Sequence, residues 1–281
     1  MKKEMVMYNG VKIPVYGYGT WLVEQEVAAE RVKLALDVGY RHIDSAQAYG
    51  NEVGVGEGFR ASGLKREEVF ITTKVRAELK NYEQAKASME ESLKKLGLDY
   101  VDLILIHCPQ PWAEFRSEKR YFKENIEVWK ALEEFYKAGK ARSIGVSNFG
   151  VDDMQNILEY CEIKPMVNQM WCHIGNTPSD VIKFCQQNDI IIEAYSPIAH
   201  GRALQDERII KMAEKYHVSP AQLCIQYTLQ LDTVTLPKAS SREHMKDNID
   251  IDFEISKEDM IKLLDMNEND YGDAKYWPII K

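Results

Sequence analysis

Val101-Asp102-Leu103-Ile104-Leu105-Ile106 is an almost unbroken apolar run, closed by His107-Cys108-Pro109. A strand with one wet face alternates apolar and polar residues. A run without alternation is what a strand covered on both faces shows, and that is the habit of parallel sheets. Just upstream, residues 82–96 place Ala85, Met89, Leu93 and Leu96 on one helical stripe. Glu90/Lys94 and Glu91/Lys95 pair on its other side, and Gly97 stops it. Further upstream, Val69-Phe70-Ile71-Thr72-Thr73 is β-branched and bounded by charge, a second strand. The order is strand, helix, strand.

The same unit recurs outward in both directions. Strands are predicted at 142–146, 166–170, 190–194 and 233–236, with weaker ones at 14–19 and 40–43. Helical patterns cover 26–38, 51–61, 125–138, 152–160, 179–187, 206–216 and 220–231. Repeated βα units build a parallel sheet. Eight strands within 281 residues, with no Ser/Gly-rich linker, favour one α/β domain over 1–281, a single (β/α)8 TIM barrel, over an open sheet. Met5-Val6-Met7-Tyr8-Asn9-Gly10-Val11-Lys12-Ile13 sets an Asn-Gly turn between apolar runs, an N-terminal β-hairpin expected to plug the bottom of the barrel.

Composition narrows the function. Hydrophobic residues at 45% and charged residues at 28% exclude large-scale disorder. A net charge of −8 argues against nucleic acid or an anionic membrane as the main partner. No run reaches the roughly 18 apolar residues of a membrane span, and Met1-Lys2-Lys3-Glu4 has no apolar stretch of a signal peptide behind it. Five widely spaced cysteines (Cys108, Cys161, Cys172, Cys185 and Cys224) without a C-x-x-C pair read as free thiols of a cytoplasmic protein.

Barrels place their chemistry at the C-terminal strand ends. After the second strand stand Asp44 and Tyr49, after the third Lys74, and after the fourth His107. Taken singly, the Asp is a helix cap, the Lys is solvated and the Tyr is rim or core. Taken together, an acid, a phenol, an amine and an imidazole suit proton delivery to a carbonyl oxygen. A phenol ionises near pH 10, a neighbouring ammonium lowers that value, and a carboxylate holds the ammonium in place. His107 either orients the carbonyl or relays a proton.

These residues sit inside longer motifs. Gly39-Tyr40-Arg41-His42-Ile43-Asp44-Ser45-Ala46 with Tyr49 and Asn51-Glu52 resembles the aldo-keto reductase family. So do Ile71-Thr72-Thr73-Lys74, Ile106-His107-Cys108-Pro109, Ile144-Gly145-Val146-Ser147-Asn148-Phe149, Asn168-Gln169, Ala194-Tyr195-Ser196-Pro197 and Leu236-Pro237-Lys238, in the family's order. The short C-terminal end is similar to the compact bacterial members. The resemblance implies a monomeric enzyme that reduces aldehydes or ketones reversibly with a nicotinamide. Its catalytic tetrad would be Asp44, Tyr49, Lys74 and His107, with Tyr49 as general acid, Lys74 lowering its pKa and His107 placing the substrate oxygen.

The same resemblance assigns Ser147, Asn148 and Gln169 to the nicotinamide carboxamide and Tyr195 to stacking on the ring. Thr20, Trp21, Ser196, Pro197 and Ile198 would lie along the cofactor, with the pyrophosphate against residues 196–202. Lys238 would pair the 2′-phosphate of NADPH, with Ser240 and Asn248 at the adenosine end beside Asp247. His244 stands where the family usually has Arg, and Ala239 where it has a hydroxyl residue. Arg is a permanent bidentate cation, whereas His is mostly neutral near physiological pH. NADPH is therefore expected first, NADH remains possible, and Arg242 stands near enough to substitute. Two usual tryptophans are replaced by Arg76 and Cys108. Trp21 and Trp112 can still wall a substrate pocket, and Arg76 either faces an anionic or hydroxyl-rich substrate or points to solvent. Small 2-oxoaldehydes, sugar-derived carbonyls and keto acids stay open as substrates.

Two motifs mislead. Gly54-Val55-Gly56-Glu57-Gly58-Phe59 lacks the third glycine of a dinucleotide loop and falls inside a helix pattern. His107-Cys108 and Cys172-His173 resemble zinc ligands, but strand neighbours point to opposite faces, so no metal is expected. The rival readings are a non-catalytic nicotinamide-binding redox sensor or structural protein on the same barrel, and a metal-dependent barrel hydrolase.

Overall fold

The computed structural model describes residues 3–115 and 117–266. Residues 1–2, 116 and 267–281 of the 1–281 domain expectation lie outside the described residues.

Strands β1 (Glu4–Val6) and β2 (Lys12–Pro14) pair antiparallel, with Met5 opposite Ile13. Gly10 takes the turn at φ 85°, where a side chain would be strained. Eight parallel strands then follow: β3 (Tyr18–Gly19), β4 (His42–Asp44), β5 (Phe70–Val75), β6 (Val101–Ile106), β7 (Ala141–Ser147), β8 (Val167–Trp171), β9 (Ile191–Tyr195) and β10 (Val234–Leu236). Each neighbours the next in chain order. The sheet closes where Tyr16 bridges Thr235 in parallel and Gly17 N donates to the Thr235 carbonyl at 2.9 Å. The order, parallel pairing and closure are those of the (β/α)8 barrel read from the runs.

The helices are α1 (Gln25–Val38), α2 (Glu52–Ser62), α3 (Tyr82–Leu96), α4 (Phe122–Lys137), α5 (Val151–Tyr160), α6 (Ser179–Gln187), α7 (Glu207–Tyr216), α8 (Pro220–Gln230), α9 (Arg242–Asp247) and α10 (Lys257–Leu264). Residues of β5 and β6 are buried throughout, as in a parallel strand covered on both faces. The hairpin does cap the bottom. Tyr8 OH donates to the Lys164 carbonyl (2.6 Å) and Asn9 Nδ2 to the Arg142 carbonyl (3.0 Å), both beside the N-terminal ends of β7 and β8.

Three expectations need correction. Residues 14–19 are not one strand: Pro14 belongs to the hairpin, and Val15 N still donates to the Lys3 carbonyl before the chain turns into β3. The second strand runs Tyr40-to-Ile43 in the sequence reading but His42–Asp44 in the structure, so Asp44 is the last strand residue rather than the first beyond it. Helices α9 and α10 were not anticipated. Both begin on a serine cap, Ser241 accepting from His244 N and Ser256 from Asp259 N.

The false phosphate motif lies in α2, and its glycines serve packing. A Cβ on Gly56 would sit 1.9 Å from the Leu96 carbonyl oxygen, and Cβ atoms on Gly54 and Gly58 would collide with Ala28 and Ala29 of α1. Gly56→Ala is expected to destabilise the fold by about 1–3 kcal/mol through overpacking. Thermal unfolding checks this, with substrate KM expected to stay put.

Candidate active site

Lys74 closes the centre of the barrel mouth. It follows three β-branched or hydroxyl residues in β5 and has no exposed surface. Its Nζ donates to both Asp44 carboxylate oxygens at 2.7 Å, to the Ser45 carbonyl at 2.8 Å and to Tyr49 OH at 3.3 Å. A buried ammonium survives only when its charge is matched and its hydrogens are used, and this one has both. Asp44 is fixed from behind: Thr20 N and Thr20 Oγ1 both donate to its backbone carbonyl, at 2.9 and 3.0 Å. Asn51, next to the Tyr49 turn, accepts from Ser45 Oγ and donates to the Thr20 and Val23 carbonyls.

The Tyr49 ring is half-buried and turns its hydroxyl inward onto Lys74. His107, at the end of β6, meets it edge to face with ring centroids 5.6 Å apart. Trp112 stands against the other side of His107 at 5.2 Å and 87°. The four tetrad residues therefore share one site.

Its electrostatics differ from the expectation in one respect. Tyr49 is not pushed toward phenolate: burial, and then the Asp44 charge, hold it well above the ordinary phenol value. The carboxylate that fixes the ammonium also cancels its field. The result suits a reductase, because a general acid must carry its proton. Burial, and then Lys74, push His107 well below the usual imidazole value. A neutral His107 ring keeps one N–H donor and one acceptor nitrogen, so it can orient a carbonyl or pass a proton between its two nitrogens.

The polar residues beyond the tetrad form one network. Ser147 Oγ donates to the Gln169 carbonyl (3.0 Å), and Asn148 Nδ2 donates to Ser147 Oγ and to the His107 carbonyl (both 3.0 Å). Tyr195 OH donates to Asn148 Oδ1 at 2.8 Å. Asn148 holds φ 62°, a left-handed conformation Asn tolerates better than most residues. Gln169 Nε2 is committed to Asp44 Oδ1 (2.8 Å) and Glu193 Oε2 (2.9 Å), which leaves its Oε1 as an acceptor. An acceptor amide, a hydroxyl and the Tyr195 ring side by side fit an aromatic ring that bears a carboxamide.

The loop 196–206 carries Ser196, Ala199 and His200 at positive φ. Pro197 is buried and Ile198 half-buried. His200 brings its ring to Trp21 at 5.2 Å, so the two loops meet over the mouth. At the far end, Lys238 Nζ donates to the Leu22 carbonyl at 3.3 Å. Burial, and then Arg31, lower its pKa. Arg31, on α1, donates to the Ser240 carbonyl at 2.6 Å. Arg242 and His244 are exposed on α9, and Asn248 is buried at its end. Lys238 and Arg31, close enough for one to lower the pKa of the other, are cations that fit an anionic group such as a phosphate.

Some residues depart from expectation or were missed. Arg76 is exposed, with Nη2 3.5 Å from the Gln47 carbonyl, and touches none of the tetrad among the described contacts. Cys108 has no exposed surface and burial pushes its thiol up to about 12, so it is inert. Phe115, beside Trp112 at 5.8 Å, was not singled out. Nor was Arg31, whose place on α1 shows no motif. Lys80, which donates to the Cys108 carbonyl and Asn125 Oδ1 (both 2.9 Å), was also passed over. Among the described residues, no three His, Cys, Asp or Glu side chains gather as a metal cluster, and no helix is long and apolar enough to cross a membrane.

A closed parallel barrel with this constellation at its mouth defines a reductase-type scaffold, and comparison with known proteins agrees. Residues 16–268 match the Aldo/keto reductase family, and the chain belongs to it. It is 43% identical to the "Glyoxal reductase" of Bacillus subtilis (strain 168), over 96% of this chain and 95% of that one. It is 37% identical to the "9,11-endoperoxide prostaglandin H2 reductase" of Trypanosoma cruzi (strain CL Brener), over 94% and 92%. The crystal structure of an aldo/keto reductase from Brucella melitensis superposes with a TM-score of 0.87 at 34% identity, covering 94% of this chain and 99% of that one.

Removing one partner of the Lys74–Asp44 pair leaves a buried charge alone. Lys74→Met is expected to cost about 3–5 kcal/mol, and combining it with Asp44→Asn to recover much of that loss. Denaturant unfolding of the two single variants and the double variant measures the coupling.

Proposed function

We propose that the protein reduces small aldehydes and ketones to alcohols with NADPH. The observation that carries the reading is the single buried ammonium of Lys74, which grips the Asp44 carboxylate and the Tyr49 hydroxyl together. When bound, the nicotinamide supplies the hydride; no side chain of the protein can.

Ser147, Asn148 and Gln169 would hold its carboxamide, and Tyr195 would lie against the ring. Lys238 with Arg31 would meet the phosphate of the adenosine end, where His244 lacks the bidentate fork of an Arg. A carbonyl oxygen would lie between Tyr49 OH and the neutral His107 ring, which would orient it with an N–H. Tyr49, kept protonated, then gives up its proton to that oxygen while the ammonium of Lys74 stabilises the phenolate left behind. Trp112, Phe115, Trp21 and His200 surround the mouth with aromatic surface that excludes water.

The match to a relative named for glyoxal points to small dicarbonyl compounds as the first substrates to try. The five free cysteines, four of them buried, accord with a reducing cytoplasm, and the enzyme is proposed to act as a monomer.

Tyr49→Phe should lower kcat by about 100-fold or more and leave NADPH affinity, read by tryptophan fluorescence, within about twofold. Retained turnover in that variant would sink the mechanism. Lys238→Met is expected to weaken NADPH binding by roughly tenfold and NADH binding little, since only the former carries the 2′-phosphate. Titration with both nucleotides decides.

A further inference from the structure

Glu193 lies outside the tetrad, and the chemistry above makes no use of it. It sits in β9 with no exposed surface, inside the apolar stretch Ile190-Ile191-Ile192-Glu193-Ala194. Its Oε2 accepts from Gln169 Nε2 at 2.9 Å, and the same nitrogen donates to Asp44 Oδ1 at 2.8 Å. Its Oε1 has no hydrogen-bond partner and stands 3.6 Å from His42 Nε2.

The ionisable groups that face it are His42 and Asp44 from β4 and Lys74 from β5. Strand β8 faces it with the neutral amide of Gln169, and β10 (Val234–Leu236) carries no ionisable residue. Lys74, the one cation in that set, is already held by both oxygens of Asp44. His42 stays neutral, because burial pushes it down to about 4.

A buried carboxylate with no cation of its own and one oxygen without a donor is costly. A protonated carboxyl removes the buried charge: its carbonyl oxygen accepts from Gln169, and its hydrogen lies on the oxygen turned to His42, whose Nε2 also lies 3.1 Å from Thr72 Oγ1. Burial, and then the Asp44 charge, push Glu193 up to about 8, in the same direction.

We propose that Glu193 is a positioning residue that works in its protonated form, holding Gln169 with its N–H2 toward Asp44 and keeping a second negative charge out of the barrel. A side-chain amide can flip. With acceptor oxygens of Glu193 and Asp44 on one side of it, only one orientation satisfies both, and that orientation turns Gln169 Oε1 toward the mouth. Ionised, Glu193 would add its charge to that of Asp44. Lys74 would be drawn inward, and Tyr49 would become a weaker acid. Reduction should therefore slow as Glu193 loses its proton, going upward in pH.

This rests on Tyr49 as the proton donor, so the test separates the two ideas. The kcat for reduction of a small dicarbonyl is measured against pH for the native enzyme, Glu193→Gln and Tyr49→Phe. The native rate is expected to fall with a midpoint of about 8. Gln cannot ionise, so in Glu193→Gln the fall should move up by about one pH unit or more. Superimposable limbs in the two proteins would overturn the proposal. Turnover surviving in Tyr49→Phe would overturn the proton-donor reading instead. Difference infrared spectroscopy needs no turnover. The native protein should show a protonated-carboxyl band at neutral pH that fades in alkali and is missing from Glu193→Gln. No such band at neutral pH refutes the protonated form, whether or not the variant folds well.

Discussion

The barrel mouth depends on one ion pair almost sealed from water. Lys74 and Asp44 lie on adjacent strands, and β4 and β5 pair so that Asp44 stands opposite Thr72, two residues before Lys74. That offset lets a long side chain reach across to a short one. Every other member of the site is placed relative to it. Tyr49 is hung on the ammonium, Gln169 on the carboxylate, and Thr20 on the carbonyl behind it. A pair so buried gains strength from the low dielectric and would be ruinous if broken, so the scaffold holds it rigidly.

The same pair explains the electrostatic finding at Tyr49. An ammonium alone would favour phenolate, but paired it presents almost no net charge, and burial then governs. The site therefore keeps a proton on Tyr49 and withholds one from His107. Acid and orienting group are set apart by their surroundings, although both lie near one cation.

Much of this was legible in the sequence because buried parallel strands write themselves as unbroken apolar runs. The run at 101–106, the stripe at 82–96 and the Asn9-Gly10 turn led directly to the barrel and its capping hairpin. The tetrad was legible because four complementary side chains fall at successive strand ends. What stayed hidden depends on burial and on contacts distant in sequence. The direction of the Tyr49 shift could not be read without knowing how deep its hydroxyl lies. Arg31 reaches the loop after β10 from α1, a contact across 209 residues. Helix α9 is short and has no apolar stripe. Glu193 did leave a signal, an acid inside the run 190–194, which the strand reading treated only as apolar.

The seam of the barrel joins Tyr16 to Thr235. During synthesis, β3 leaves the ribosome long before its partner β10 exists. An unpaired parallel edge in an incomplete barrel invites pairing with other chains. Here that edge is two residues long, Tyr18–Gly19, and the hairpin that precedes it is already paired with itself. On that edge the nascent chain thus offers neighbours almost no strand to copy while it waits for its last one.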